Sequence, residues 1–251
     1  MRVVKLGGAS LAELAAMGRA LARFQGFQVV VHGGGPQATE LAKRLQIESR
    51  KIAGRRITDA ATLDVVLMAV GGLVHNQIVA GLASGGLAVV GVAGPSVLRA
   101  RRRPPVEIDG ETIDFGFVGD IETVDAAFLK SLGDRVPVVP SIAGGEGGAL
   151  WNVNADTAAA RVAVALGAEE LIQVTDSGGV RAREDDPASL IARLTAPEAR
   201  LMLGDKTASG GMRPKLEAAI SALEAGVKRV RIVGTSGLED PGAGTTLHEG
   251  A

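Results

Sequence analysis

The 251-residue chain contains no cysteine, which excludes a disulfide framework and any thiolate metal site. Its three histidines, His32, His75 and His248, are scattered without paired metal-ligand spacing. Each is expected to be structural or solvent-exposed, and no protein-built metal site is expected. Surplus charge is lacking as well, because 27 Lys and Arg stand against 28 Asp and Glu. That balance argues against a nucleic-acid surface over much of the protein and favours small-molecule chemistry. No Gly-Lys dipeptide occurs anywhere, which removes the Walker-type phosphate loop. Gly7, Gly8 and Glu13 interrupt the N-terminus before a signal-peptide core can form. The longest stretch without Asp, Glu, Lys or Arg, 65–98, is split by His75, Asn76 and Gln77 and turns glycine-rich. It reads as protein core rather than a membrane span, and a cytoplasmic enzyme is the default.

A 46% hydrophobic content at this length suffices for one layered α/β domain. Short β-branched runs alternate with segments of helical period, the pattern of parallel strands joined by crossover helices. Strands are expected at 2–6, 28–32, 88–92, 136–139, 171–175 and 229–233, each mostly apolar, as a sheet covered on both faces requires. Helices are expected at 10–24, 36–45, 155–166 and 215–225. Asp59 should cap the longest helix, with Leu63, Val66, Val70, Leu73 and Ile78 as one apolar stripe through about Leu82. The fold class is therefore a three-layer α/β/α sandwich with a mostly parallel central sheet. Residues 99–118, with Pro104 and Pro105, break the rhythm and read as a hairpin excursion and a candidate lid.

Three glycine loops carry the chemistry. The first strand ends in Lys5-Leu-Gly7-Gly8, a cation beside backbone that a ligand can approach closely. The second runs into His32-Gly33-Gly34-Gly35-Pro36, where free N–H groups at a helix start suit an anion. Gly33-x-Gly35-x-x-Ala38 also fits a loose dinucleotide fingerprint, which keeps a nicotinamide-type oxidoreductase as an alternative. The third loop, Ser209-Gly210-Gly211-Met212-Arg213-Pro214-Lys215, sets a second lysine on the first turn of a helix. Trp151-Asn152-Val153-Asn154-Ala155-Asp156 places amides and a carboxylate just before another helix, with Asn154 or Asp156 able to cap it. Thr175-Asp176-Ser177-Gly178-Gly179-Val180 closes a strand at the sheet edge where open α/β sheets hold ligands.

These blocks, with Gly54-Arg-Arg56-Ile-Thr-Asp59 and Gly116-Phe-Val-Gly119, resemble the amino acid kinase family along nearly the whole chain. Within it they look like the branch that phosphorylates free N-acetyl-L-glutamate in arginine biosynthesis. The resemblance implies that Lys5 and Lys215 stabilise the transferring phosphoryl group and that Asp156 holds both lysines. It implies Gly34, Gly35, Arg56 and Asn152 for acetylglutamate. For ATP it implies Gly7, Gly8, Asp176, Ser177, Gly178, Gly179, Val180, Arg181, Thr207, Ala208 and Ser209, with Mg²⁺ carried mainly by the phosphates. Residues 1–152 would form an acetylglutamate-binding and dimerising lobe, and residues 153–251 an ATP-binding lobe.

Two features depart from that pattern. Gly178 stands where many relatives have proline, and the run Arg99-Ala-Arg-Arg-Arg103 falls on the substrate-covering hairpin, where a basic lid would suit a substrate carried on a small acidic protein. The first strand begins by Arg2, without the extra N-terminal helix of arginine-sensitive relatives, so a homodimer insensitive to arginine is expected. A non-catalytic sensor is the remaining alternative, and both lysines with Asp156 count against it.

Overall fold

The computed structural model describes residues 1–7, 13–108, 110–183, 185–205, 207–208 and 210–250. Among them eight strands form the central sheet: β1 (Arg2–Leu6), β2 (Gln28–His32), β3 (Val89–Gly91), β4 (Val136–Pro140), β5 (Glu170–Val174), β6 (Arg193–Thr195), β7 (Arg229–Val233) and β8 (Thr245–His248). Their order is β6-β8-β7-β5-β1-β2-β4-β3. The six strands from β7 to β3 are mutually parallel, while β8 runs against β7 and β6 follows β8. The two short reversed strands were not legible as strands beforehand.

Alternation along a strand sends successive side chains to opposite layers. Val3, Val29, Val31 and Leu171 meet one layer, containing α4 (Ala155–Leu166) and α5 (Met212–Glu224). Val4, Val30 and Ile172 meet the other, with α1 (Leu14–Ala22) and the second half of α3 (Ala60–Ser84). Each such buried Val or Leu contributes about 1.5–3 kcal/mol of hydrophobic stabilisation. In α4 the run Ala158, Ala159, Ala160, Ala163 keeps the helix thin enough to lie close to β1 and α5. Asn154, not Asp156, caps it by accepting from the Thr157 amide at 3.0 Å, and Gly167 at φ 65° ends it.

Asp59 caps α3 through the Thr62 amide at 2.8 Å. The expected apolar stripe is corrected in its middle: Leu73 is exposed and Val74 is buried instead. Residues Leu67–Val74 are π-helical, and the wider turn carries one residue past the position a 3.6-residue period assigns it. By length and composition α3 is able to cross a membrane, yet Val65, Val66, Ala69, Val70, Val74, Ile78 and Leu82 are packed in the domain's cores.

A smaller sheet joins Leu150–Asn152, Ile142–Gly144, Leu98–Arg102 and Gly119–Val124 in that order. The excursion between its last two strands contains the hairpin Val106–Ile108 with Glu111–Ile113. The basic run is largely neutralised on the spot, through Arg101 with Glu122, Arg102 with Asp114 and Arg103 with Asp120. A two-residue ribbon pairs Lys51–Ile52 with Arg55–Arg56, turning at Ala53 and Gly54, both at positive φ.

Candidate active site

β1, β2, β4 and β5 end at one edge of the sheet, so Gly7, Gly33 to Gly35, Ser141 and Thr175 to Arg181 emerge together. At their meeting point the Lys5 ammonium lies 2.9 Å from Asp156 Oδ1. Lys215 lies 3.2 Å from both Asp156 oxygens. All three side chains are largely removed from solvent. Burial works to raise the Asp156 carboxyl, but the two lysines outweigh it and hold it below the usual carboxylate range. The Lys215 amine is lowered to about 8, first by burial and then by Lys5, with Asp156 opposing.

Two cavities adjoin this triad and share Lys5 and Pro36. The first, about 230 Å³, is lined by Gly33, Gly34, Gly35, Arg56, Asn152 and Asp156 among others. α2 (Gly35–Arg44) starts there, with Pro36 in its first turn. Arg56 is buried, donating from Nη2 to the Gly35 carbonyl at 2.9 Å and to Thr39 Oγ1 at 2.8 Å, and from Nη1 to Ser49 Oγ. Among the described residues it has no carboxylate partner, although burial lowers its guanidinium from the usual arginine value. A buried cation of that kind is able to pair with an anionic ligand. Asn152 donates to Thr58 Oγ1 at 3.0 Å from the small sheet, which fixes its amide at the cavity wall.

The second cavity, about 490 Å³, is lined by Gly7, Asp176, Ser177, Gly179, Val180, Arg181, Thr207, Ala208 and Lys215, with Thr175, Gly211 and Met212. Ser177 bonds forward to the Gly179 carbonyl at 2.9 Å and Arg181 back to the Ser177 carbonyl at 3.1 Å, so the loop is self-braced. Of the residues expected here, Gly178 turns at φ 72° into a neighbouring groove and does not line this cavity. Its bracing neighbours set that turn, so the glycine shapes the loop from behind. Gly8 and Ser209 lie outside the described residues.

Sequence reasoning missed Lys51 and Arg55, which line the first cavity beside Arg56. The available signal was the Ala53-Gly54 turn, which folds Lys51 across from Arg56. It also missed that His32 and His75 touch, with Nε2 and Nδ1 3.0 Å apart. Histidines 43 positions apart on a strand and a helix leave no local signal. Among the described residues no group of three or more His, Asp or Glu is placed to hold a metal.

The sequence profile of the amino acid kinase family matches residues 1–234. The acetylglutamate kinase of Symbiobacterium thermophilum is 42% identical over 242 residues, covering 92% of this chain and 83% of that protein. That of Methanopyrus kandleri is 41% identical over 251 residues, covering 98% of this chain and 100% of its own. Among solved structures, smu.665 from Streptococcus mutans UA159 superposes with a TM-score of 0.83 at 26% identity, covering 99% of this chain and 98% of that one. Giardia carbamate kinase, with a TM-score of 0.70 and 15% identity over 99% of this chain and 98% of that one, shares the fold.

Proposed function

The chain belongs to the amino acid kinase family, and from that membership and its near-full-length similarity to acetylglutamate kinases we infer that it phosphorylates N-acetyl-L-glutamate with ATP. The products are N-acetyl-L-glutamyl 5-phosphate and ADP, a step of arginine biosynthesis. The carrying observation is buried Arg56, without a carboxylate partner among the described residues, in a cavity joined through Lys5 to a second, larger one.

In our reading acetylglutamate occupies the first cavity, its α-carboxylate on Arg56 and its carbonyl groups near Asn152 and the amides of Gly34 and Gly35. ATP occupies the second, along Gly7, Asp176 to Arg181 and Thr207 to Ala208. The side-chain carboxylate is already ionised at neutral pH and attacks the γ-phosphorus without a general base. A new P–O bond forms as the bond to the ADP oxygen breaks. Lys5 and Lys215 spread their charge over the equatorial and bridging oxygens, and Asp156 keeps the two cations together until the phosphates arrive. Alignment and relief of anionic repulsion then supply most of the acceleration.

Mg²⁺ would ride on the phosphates and neutralise charge there. That fits a described site in which Asp156 is committed to two lysines and no carboxylate cluster is formed. The first cavity draws on residues 5–156 and the second mainly on 174–215, which supports lobes of 1–152 for acetylglutamate and 153–251 for ATP. A homodimer through α3 is supported by its exposed Met68 and Leu73. A cytoplasmic location suits an ATP-consuming step of small-molecule synthesis.

ADP release measured with acetylglutamate, free aminoadipate and a carrier-linked substrate side by side tests the reading. Acetylglutamate is expected to be turned over best. Absence of ADP release with it overturns the assignment, and preference for the carrier-linked substrate moves it to the neighbouring branch. Protection against heating by NADH but not ATP would favour the oxidoreductase alternative.

A further inference from the structure

His32 is fully buried at the end of β2, one residue before the glycine loop. Its Nδ1 is 2.8 Å from the Gly33 carbonyl and its Nε2 is 3.0 Å from His75 Nδ1 on α3. A carbonyl only accepts, so His32 Nδ1 carries the proton. Burial holds this imidazole down at about 4, so at neutral pH its Nε2 is bare and accepts from His75 Nδ1–H. One tautomer assignment satisfies both contacts, and it runs from His75 through His32 to Gly33.

Resting on the acetylglutamate reading above, we propose that His75 and His32 form a positioning relay that sets the Gly33–Gly34 peptide and thereby the affinity of the first cavity for acetylglutamate. In a trans peptide the carbonyl and the following N–H point in opposite directions. Holding the Gly33 carbonyl on the histidine side aims the Gly34 N–H away from it. Both glycines line the cavity, and neither histidine does. Gly33, Gly34 and Gly35 have no side chains of their own to steer this peptide. It lies in a slot where a Cβ on Gly34 would meet Val70 Cγ2 at 3.1 Å and a Cβ on Gly33 would meet Ala155 at 3.1 Å. Gly91 leaves the room His75 needs, since a Cβ there would stand 2.8 Å from its Nε2.

The test compares His75→Leu, which removes the donor, with His75→Asn, whose amide nitrogen takes the place of Nδ1. For His75→Leu the acetylglutamate KM is expected to rise about tenfold, the worth of one buried hydrogen bond, with ATP KM and kcat within about threefold of wild type. His75→Asn is expected to restore most of that loss. An unchanged acetylglutamate KM in His75→Leu overturns the relay. So does a joint loss of both KM values, kcat and Tm, or an Asn variant no better than Leu at equal stability. If the wild-type protein itself releases no ADP with acetylglutamate, the functional reading fails while the relay is still judged by NMR. There His32 is expected as the Nδ1–H tautomer, with the Gly34 amide exchanging faster in His75→Leu than in wild type, and equal exchange rates overturn it.

Discussion

Lys215 faces both oxygens of Asp156 at equal distance, 3.2 Å each, while Lys5 closes on one of them. One buried carboxylate thus restrains two cations. Asp156→Asn is expected to fold, because the Lys215 amine can shed its charge, but to lose at least about a hundredfold in kcat as the lysines separate. Circular dichroism and steady-state kinetics check this. A variant with wild-type kcat would reduce Asp156 to a structural acid.

Lys5→Ala and Lys215→Ala are each expected to lower kcat by about 10²–10³ while leaving the acetylglutamate Kd within about threefold. In the proposed mechanism both groups act on charge that develops only in the transition state. Calorimetric titration beside ADP-release assays separates the two quantities, and a large loss of binding with kcat intact would relocate the reacting centre.

The lowered Lys215 amine predicts a pH limb. Below about 8 the group is cationic in the free enzyme and above it is neutral, so kcat/KM for ATP is expected to fall as pH rises through about 8. Lys215→Arg keeps its charge and should lack that limb, at reduced kcat. Stability moves oppositely: between about 8 and the ordinary lysine value the unfolded chain binds the extra proton, so this group's contribution to folding rises with pH. A kcat/KM profile flat to pH 10 would contradict the assignment.

Arg56→Ala is expected to raise the acetylglutamate KM by about 10–100-fold, and Arg56→Lys to recover only part of it, since a lysine lacks the planar fork. An unchanged KM would move the carboxylate site elsewhere.

Leu73 is 55% exposed and Met68 49% on α3. Light scattering is expected to give twice the chain mass, and Leu73→Glu to halve it with the fold intact, because burying such a side chain is worth about 1.5–3 kcal/mol per copy. A monomeric wild-type protein at assay concentration would exclude the dimer.

The six parallel strands of the central sheet were legible because their apolar runs are short and bounded by glycine or charge, and α4 because Asn154 and Gly167 mark its ends. The reversed strands β6 and β8 hid because three or four residues at a sheet edge carry too little periodicity to be distinguished from loop. In the site, Lys5 and Lys215 stood beside glycine loops and Asp156 at a helix start, while Arg56 was expected from the family resemblance. Lys51 reached the cavity only through its cross-strand partner Arg56, and the histidine contact through tertiary packing.

The π-helical stretch Leu67–Val74 changes the angular phase of α3 between its two halves. Val65 and Val66 ahead of it, with Ala69 and Val70 in its first turn, pack with Ala38, Ala42 and Ile142 beside the first cavity. Val74 at its end, with Ile78 and Leu82 beyond it, packs with Val30 and Val138 of the sheet. Deleting one residue from the wide turn would restore a regular α-helix and rotate one half by about 100° against the other. Either the cavity wall or the sheet cover would then swing toward solvent. The number of residues in that turn, more than their identity, keeps the ligand cavity and the sheet served by a single helix.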